Sequence, residues 1–416
     1  MTSTKTPSAR ACLLAALLAA AAWAATDAAA QTSLRREGLT QIPDRGSLAP
    51  FGLVRQWVAQ ASFSPYSDAL ASVTADETTV YVVSKGGYVT AFDAETGGRR
   101  WSSRLGSAER PVLEPSSNGR LVVFAVGRNL VGLDRKNGDR LWFLKLEALP
   151  SAGPTTDEQN VYVGFENGGV AAYNLLDVER LYNEGKLPEY SYNALRWNYR
   201  TSDSISGPPR SDGESVAFAS RSGVYYSVTA NSRQLRFLFE GAAPITAPFT
   251  RGGGVAIIPC EDLNTYCIDD TRGAVRWTLV TGLPVRKKPL VVGDRVFLSP
   301  DRSGTIAASV STGRRLWQQK RAAEVVATSG SRVFAKTSLG QMLLLDVSDG
   351  RVLADLPIRG FEEHVLNERT DRIFLATSRG TVLCLRDRDR VFPRFHRTPE
   401  EEPLLPEMSA ETRPGL

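Results

Sequence analysis

Three ionisable side chains, Lys287, Glu324 and His364, stand in a slot that most other segments of the chain fill with small residues, Ala71, Ala152, Gly207 and Thr246. Each lies two residues before a proline or apolar position that recurs along the sequence. A carboxylate between an ammonium and an imidazole can hold a ligand or handle a proton. The same trio also describes a channel plug whose charges satisfy one another, since buried charges are paired. Other chemistry-bearing residues are sparse. The only two histidines are His364 and His396, too few for a histidine-rich metal site. Gly252-Gly253-Gly254 precedes a strand rather than a helix, so it is not a phosphate cradle. These residues predict no catalytic group, no metal and no cofactor.

The elements that position the trio are set by a repeat. The marker positions pair with a second position seven residues on: Val73 with Val80, Pro115 with Val122, Pro154 with Val161 and Pro209 with Val216. The ruler continues through Pro248 and Val255, Pro289 and Val296, Val326 and Val333, and Leu366 and Ile373. Turn-forming residues lie between the members of each pair. Each unit then reads strand, glycine-containing hairpin, strand, turn, strand. A unit of about 40 residues that cannot bury its own faces must stack on copies of itself. The expected fold is all-β, an eight-bladed β-propeller of four-stranded antiparallel blades. Lys287, Glu324 and His364 then fall on blades six, seven and eight, along one arc of the central channel.

A second spacing supports the ring. Asp93 to Trp101, Asp134 to Trp142, Asp269 to Trp277 and Ser309 to Trp317 are each eight residues apart. A glycine (Gly97, Gly138, Gly273, Gly313, Gly350) marks the intervening turn, where a positive φ is best tolerated. The aromatic slot reads Trp101, Trp142, Trp197, Phe237, Trp277, Trp317 and then Ala354, residues sized to fill the wedge between blades. The eighth unit has Arg394 where its aromatic is due, whereas Trp57 in Phe51–Trp57 precedes the first complete unit. The N-terminal strand is therefore expected to complete the last blade and close the ring, leaving no open edge.

The intact motif, Ala91-Phe92-Asp93-Ala94-Glu95-Thr96-Gly97 to Trp101, resembles the PQQ-like (pyrroloquinoline-quinone-type) propeller repeat, with degenerate copies from about Phe51 to Arg390. The resemblance implies the fold more strongly than any activity. One branch of that family comprises quinoprotein dehydrogenases, which use a vicinal Cys-Cys disulfide, a Trp platform and calcium ligands around a quinone. This chain has no adjacent cysteines, and every Trp after Trp23 has a blade-docking slot. The other branch comprises non-catalytic envelope scaffolds typified by BamB. The resemblance therefore implies a non-enzymatic propeller that joins envelope proteins, including those of outer-membrane protein assembly. The alternative is a quinone- or metal-dependent oxidoreductase with a degenerate site.

Segments outside the repeat suggest an address and a docking surface. Lys5 and Arg10 precede the apolar run Leu13 to Trp23, and Ala28-Ala29-Ala30 offers a cleavage site, so residues 1–30 read as a secretory signal peptide. Residues 31–50 read as a linker, 51–390 as the propeller and 391–416 as a Pro- and Glu-rich disordered tail containing His396. The mature protein is expected to be an exported, monomeric ring without a transmembrane span. No cysteine follows the apolar run as a lipid anchor would require. Cys260, Cys267 and Cys384 remain; Cys267 and Cys384 occupy the small-residue slot held by Ala91, and a Cys260–Cys267 bridge stays open. A net charge of +5, scattered over turns, argues against nucleic acid. Blade three carries a fifteen-residue insertion after Asn174. Its Leu175, Val178, Leu181 and Tyr182 are spaced for one face of a short helix, and a Gly-Lys-Leu-Pro break leads to Tyr190 and Tyr192. That stripe either packs back on the neighbouring blade or presents a surface to a partner protein.

Overall fold

A computed structural model describes residues 42–396. The predicted signal peptide and most of the tail lie outside the described residues. Eight four-stranded antiparallel sheets follow one another in chain order. Blade one is Leu70–Ala75, Thr79–Ser84, Tyr88–Asp93 and Arg99–Arg104. Blades two to seven span 116–145, 155–200, 210–240, 250–280, 290–319 and 324–356. Blade eight is Glu363–His364, Ile373–Ala376 and Thr381–Asp387, and its outermost strand is Leu53–Gln60 from the other end of the chain. Trp57 pairs with Cys384 in that ladder. The eight-bladed ring closed by the N-terminal strand is therefore the fold found.

Burial explains the run of residue types. The second strand of a blade lies between two neighbours, so Thr79–Ser84 and Leu121–Val126 are buried at every position and read as continuous apolar runs. Outer strands meet solvent, and in Arg99–Arg104 only Trp101 is buried. Each outer-strand aromatic faces a small residue on the third strand: Ala91 opposes Trp101, Gly132 Trp142, Ala172 Trp197, Cys267 Trp277 and Ala307 Trp317. In blade seven, where Ala354 replaces the aromatic, the opposing residue is Leu344, so volume is conserved across the pair.

Successive blades dock through the turn glycine. The Trp57 indole donates to the Ala94 carbonyl at 2.9 Å, and a Cβ on Gly97 would lie 2.5 Å from its ring. Trp101 does the same with Arg135 and Gly138, Trp277 with Val310 and Gly313, and Trp317 with Val347 and Gly350. Phe237 stacks on Gly273 without a donor. These glycines have φ of +71° to +77°, so both the backbone and the neighbouring ring require them. Trp142 is the exception. It is fully buried, but its Nε1 has no partner, because the inserted helix begins at Leu175, the residue whose counterpart supplies the acceptor elsewhere.

An inner girdle of carboxylates ties blades together near the axis. Asp76 Oδ1 accepts the Thr78 and Thr79 amides, which makes the first turn, while Oδ2 accepts the Ser117 hydroxyl of blade two at 2.6 Å. Asp157 repeats this with Gln159, Asn160 and Ser211. Asp212 does so with Glu214, Ser215 and the Arg251 guanidinium.

Two boundaries differ from the expectation. Part of the predicted linker belongs to the propeller: Leu48 is fully buried in a cluster with Leu53, Phe334 and Ile373. The tail begins later than Val391. Arg372 donates to the Val391 carbonyl at 2.8 Å, Phe395 bridges Thr370, and the His396 amide donates to Arg369. Both segments lie against the composite blade, whose ends would otherwise face solvent.

Candidate functional site

A channel of about 1820 Å³ runs along the ring axis and is lined by residues from all eight blades. On one arc the structure brings Lys287, Glu324 and His364 together, as their shared slot predicts. Lys287 Nζ is hydrogen-bonded to Glu324 Oε2, and His364 Nε2 lies 3.4 Å from Oε1. Burial raises the Glu324 carboxyl, but His364 and then Lys287 outweigh it and hold the group at about 2. With Lys287 on one oxygen and the His364 ring beside the other, Glu324 has the chemistry of a clasp across blades six to eight rather than of a proton acceptor at neutral pH. Lys336 beside it donates to the Glu362 carbonyl. Among the described residues, no group of three His, Cys, Asp or Glu side chains is placed to hold a metal ion.

A second channel cluster has no signature in the repeat. Glu368 of blade eight reaches across the ring. Its Oε2 lies 2.6 Å from Lys288 Nζ of blade six, and its Oε1 lies 4.0 Å from Arg210 Nη1 of blade four. Arg369 pairs with Glu77 of blade one at 2.7 Å. Four blades therefore meet at one ionic crossbar. The only signal in the sequence is Glu368-Arg369 beside the marker Leu366, without the spacing that joins blades.

Two buried arginines lock blade interfaces. Arg251 bonds Asp270 at 2.7 Å, Asp212 at 2.8 Å and the Ser215 carbonyl, joining blades four and five. Arg372, fully buried, bonds Glu95 of blade one through Nη2 at 2.8 Å and Nε at 3.0 Å. Gln56 of the closing strand donates to the same carboxylate at 2.9 Å.

The blade-three insertion folds as a helix, Leu175–Asn183, capped by the Asn174 side chain on the Asp177 amide. Leu175, Val178 and Leu181 are buried with Trp142, Leu144 and Leu187, and Tyr182 packs against them. Of the two courses open to the stripe, these residues take the first, covering the outer strand of blade two. Tyr190 and Tyr192 follow in edge-to-face contact, with centroids 6.1 Å apart. They are 43% and 64% exposed, and Leu176 is 74% exposed. Cys260, Cys267 and Cys384 are buried free thiols, so the Cys260–Cys267 bridge is absent. Among the described residues no helix is long and apolar enough to cross a membrane.

The family model described as outer membrane protein assembly factor BamB matches residues 55–257 and 240–393. A curated BamB of Yersinia pestis is 21% identical over 201 residues, 44% of this chain, and the chain spans about half (51%) of that relative's length. The crystal structure of BamB from Moraxella catarrhalis superposes with a TM-score of 0.62 at 15% identity, covering 80% of this chain and 97% of the other. The computationally designed Ika8 protein superposes with a TM-score of 0.61 at 13% identity, covering 78% and 99%. At these identities the solved structures show likeness of fold.

Proposed function

The chain belongs to the family of the outer membrane protein assembly factor BamB, and from that premise we propose that it is a non-catalytic, exported scaffold that joins envelope proteins during outer-membrane protein assembly. The supporting observation is the surface left by the blade-three insertion. Its helix is spent on the core, while Leu176, Tyr190 and Tyr192 stay exposed on the one segment that breaks the repeat strongly. Exposed aromatics on a rigid support are the residues that carry binding energy in protein interfaces. The channel arc at Glu324 fits the same reading, because its charges are engaged with one another.

The test is affinity capture of envelope proteins by wild-type protein and by a Leu176→Ser, Tyr190→Ala, Tyr192→Ala variant. The variant should keep its melting temperature and lose the captured partner. A variant that retains every partner would remove the insertion from the docking surface. Turnover of alcohols or sugars by protein supplied with quinone and Ca²⁺ would overturn the non-catalytic reading itself.

A further inference from the structure

Six cationic side chains gather on one face of the ring, in the sector of blades eight, one and two. The hairpin joining the second and third strands of every blade opens onto this face. Its tip carries Arg379 in blade eight, Lys85 in blade one and Arg128 in blade two. Arg104 and Lys145 sit beside those tips, opposite Tyr88 and Asn129 in the ladders. The Arg110 stem lies 3.6 Å from where a Cβ on Gly127 would stand. All six are exposed. We propose that this sector is a docking surface for a phospholipid bilayer with anionic headgroups.

None of the six is in an ion pair among the described residues. Arg104 lies over the Tyr88 ring, 5.2 Å from its centroid, and Arg128 donates to the Glu147 carbonyl. The carboxylates of the sector are Glu109, Glu147 and Asp68, and Asp68 is engaged by the Ser84 hydroxyl at 2.6 Å and the Gly86 amide at 2.8 Å. Glu114 lines the channel, and at the blade-eight end Lys336 and Arg359 offset Glu362 and Glu363. With all of these counted, cations remain in excess. Elsewhere on the face the balance turns. The hairpins of blades three, five and six carry Glu166, Glu261 and Asp301, the last beside Arg302, while blade four has Arg221 and blade seven no charge. Cations there are also engaged, Arg286 by Asp301 at 2.9 Å and Arg321 by Asp355 at 2.5 Å. The cationic sector also exposes Tyr66 (83%) and Leu149 (44%), and a tyrosine suits the boundary between water and bilayer. Because the hairpin tips hold equivalent places in successive blades, the charges spread across one face instead of lining a pocket. That layout meets many headgroups at once. The proposal does not rest on the scaffold reading.

Flotation of the purified protein with lipid vesicles tests the proposal. Binding is expected to vesicles of phosphatidylglycerol and phosphatidylcholine in equal parts and not to phosphatidylcholine alone, and it should weaken as added salt screens the charges. Lys85→Glu, Arg110→Glu and Arg128→Glu together should keep the melting temperature and lower the partition coefficient by about fivefold per cation removed. Arg272→Glu, Arg314→Glu and Arg351→Glu change the net charge equally on turns of the opposite face and should leave binding as in the wild type. Should the first combination fail to fold, Lys85→Glu alone takes its place. Absence of wild-type binding to the anionic vesicles, equal binding to phosphatidylcholine alone, or equal loss in the two sets of variants would overturn the surface.

Discussion

At Gly97 two constraints coincide, a φ of +71° and the Trp57 ring 2.5 Å from where a Cβ would stand. At Gly213 only the first operates, with φ +91° and nothing within 4 Å. Gly213→Ala should therefore cost only the backbone strain, about 1–2 kcal/mol, and Gly97→Ala distinctly more. Equilibrium denaturation of the two variants checks the order, and equal losses would contradict the docking role of the turn glycine. Glu324 yields a pH-dependent prediction. Its carboxyl is held at about 2 in the fold, below its ordinary 4.5, so its stabilisation is complete above about pH 4.5 and is lost as pH falls toward 2. Glu324→Gln should flatten that part of the acid limb. Unfolding midpoints at pH 3 and pH 6 would show it, and parallel curves for the two proteins would argue against the clasp.

The blade-three helix shows what an element adds. Leu181 is 3% exposed and Val178 fully buried, in one cluster with Trp142. Leu181→Ala should cost about 2–5 kcal/mol, whereas Tyr192→Ala should stay within about 0.5 kcal/mol and act only on partner capture. Excising the insertion is accordingly expected to lower the melting temperature, because it uncovers the outer strand of blade two. The helix itself was legible in the sequence, since 3.6-residue spacing shows which face is apolar. What that face meets was not, because its partners Trp142 and Leu144 belong to another blade. The aromatic slots were legible for the opposite reason: Trp101, Trp142, Trp277 and Trp317 each follow the turn glycine of their own blade by four residues. Arg251, Arg372 and the Glu368 crossbar escaped detection because each occurs once, and a repeat reveals only what recurs. The packing of Leu48 and of residues 391–396 escaped likewise, having no copy elsewhere to be compared with.

For the molecule as a whole, closure of the ring runs through one seam. Blade eight is built from both ends of the chain and is held to blade one by Trp57, Gln56 and the buried Arg372–Glu95 pair. Removing Phe51–Gln60 should expose the Thr381–Asp387 edge and drive aggregation, visible as a shift to earlier elution than the wild type in size-exclusion chromatography. Arg372→Met leaves Glu95 with Gln56 but without its cation, and should cost about 3–5 kcal/mol if the seam carries the ring. A chain whose elution is unchanged by the deletion would show that the seven complete blades hold without it.

The same seam sets an order of events in time. A polypeptide emerges from a ribosome or a translocation pore N-terminus first, so Leu53–Gln60 appears before any blade exists. Its ladder partner, Thr381–Asp387, is among the last described residues to arrive. Blades one to seven can form from local segments while this apolar strand, with Trp57 at its centre, waits without a partner. Its pairing carries the greatest sequence separation in the fold and is therefore the slow step. During the wait the strand is open to any foreign edge. An escort that shields Leu53–Gln60 would thus speed assembly of a ring that Thr381–Asp387 completes.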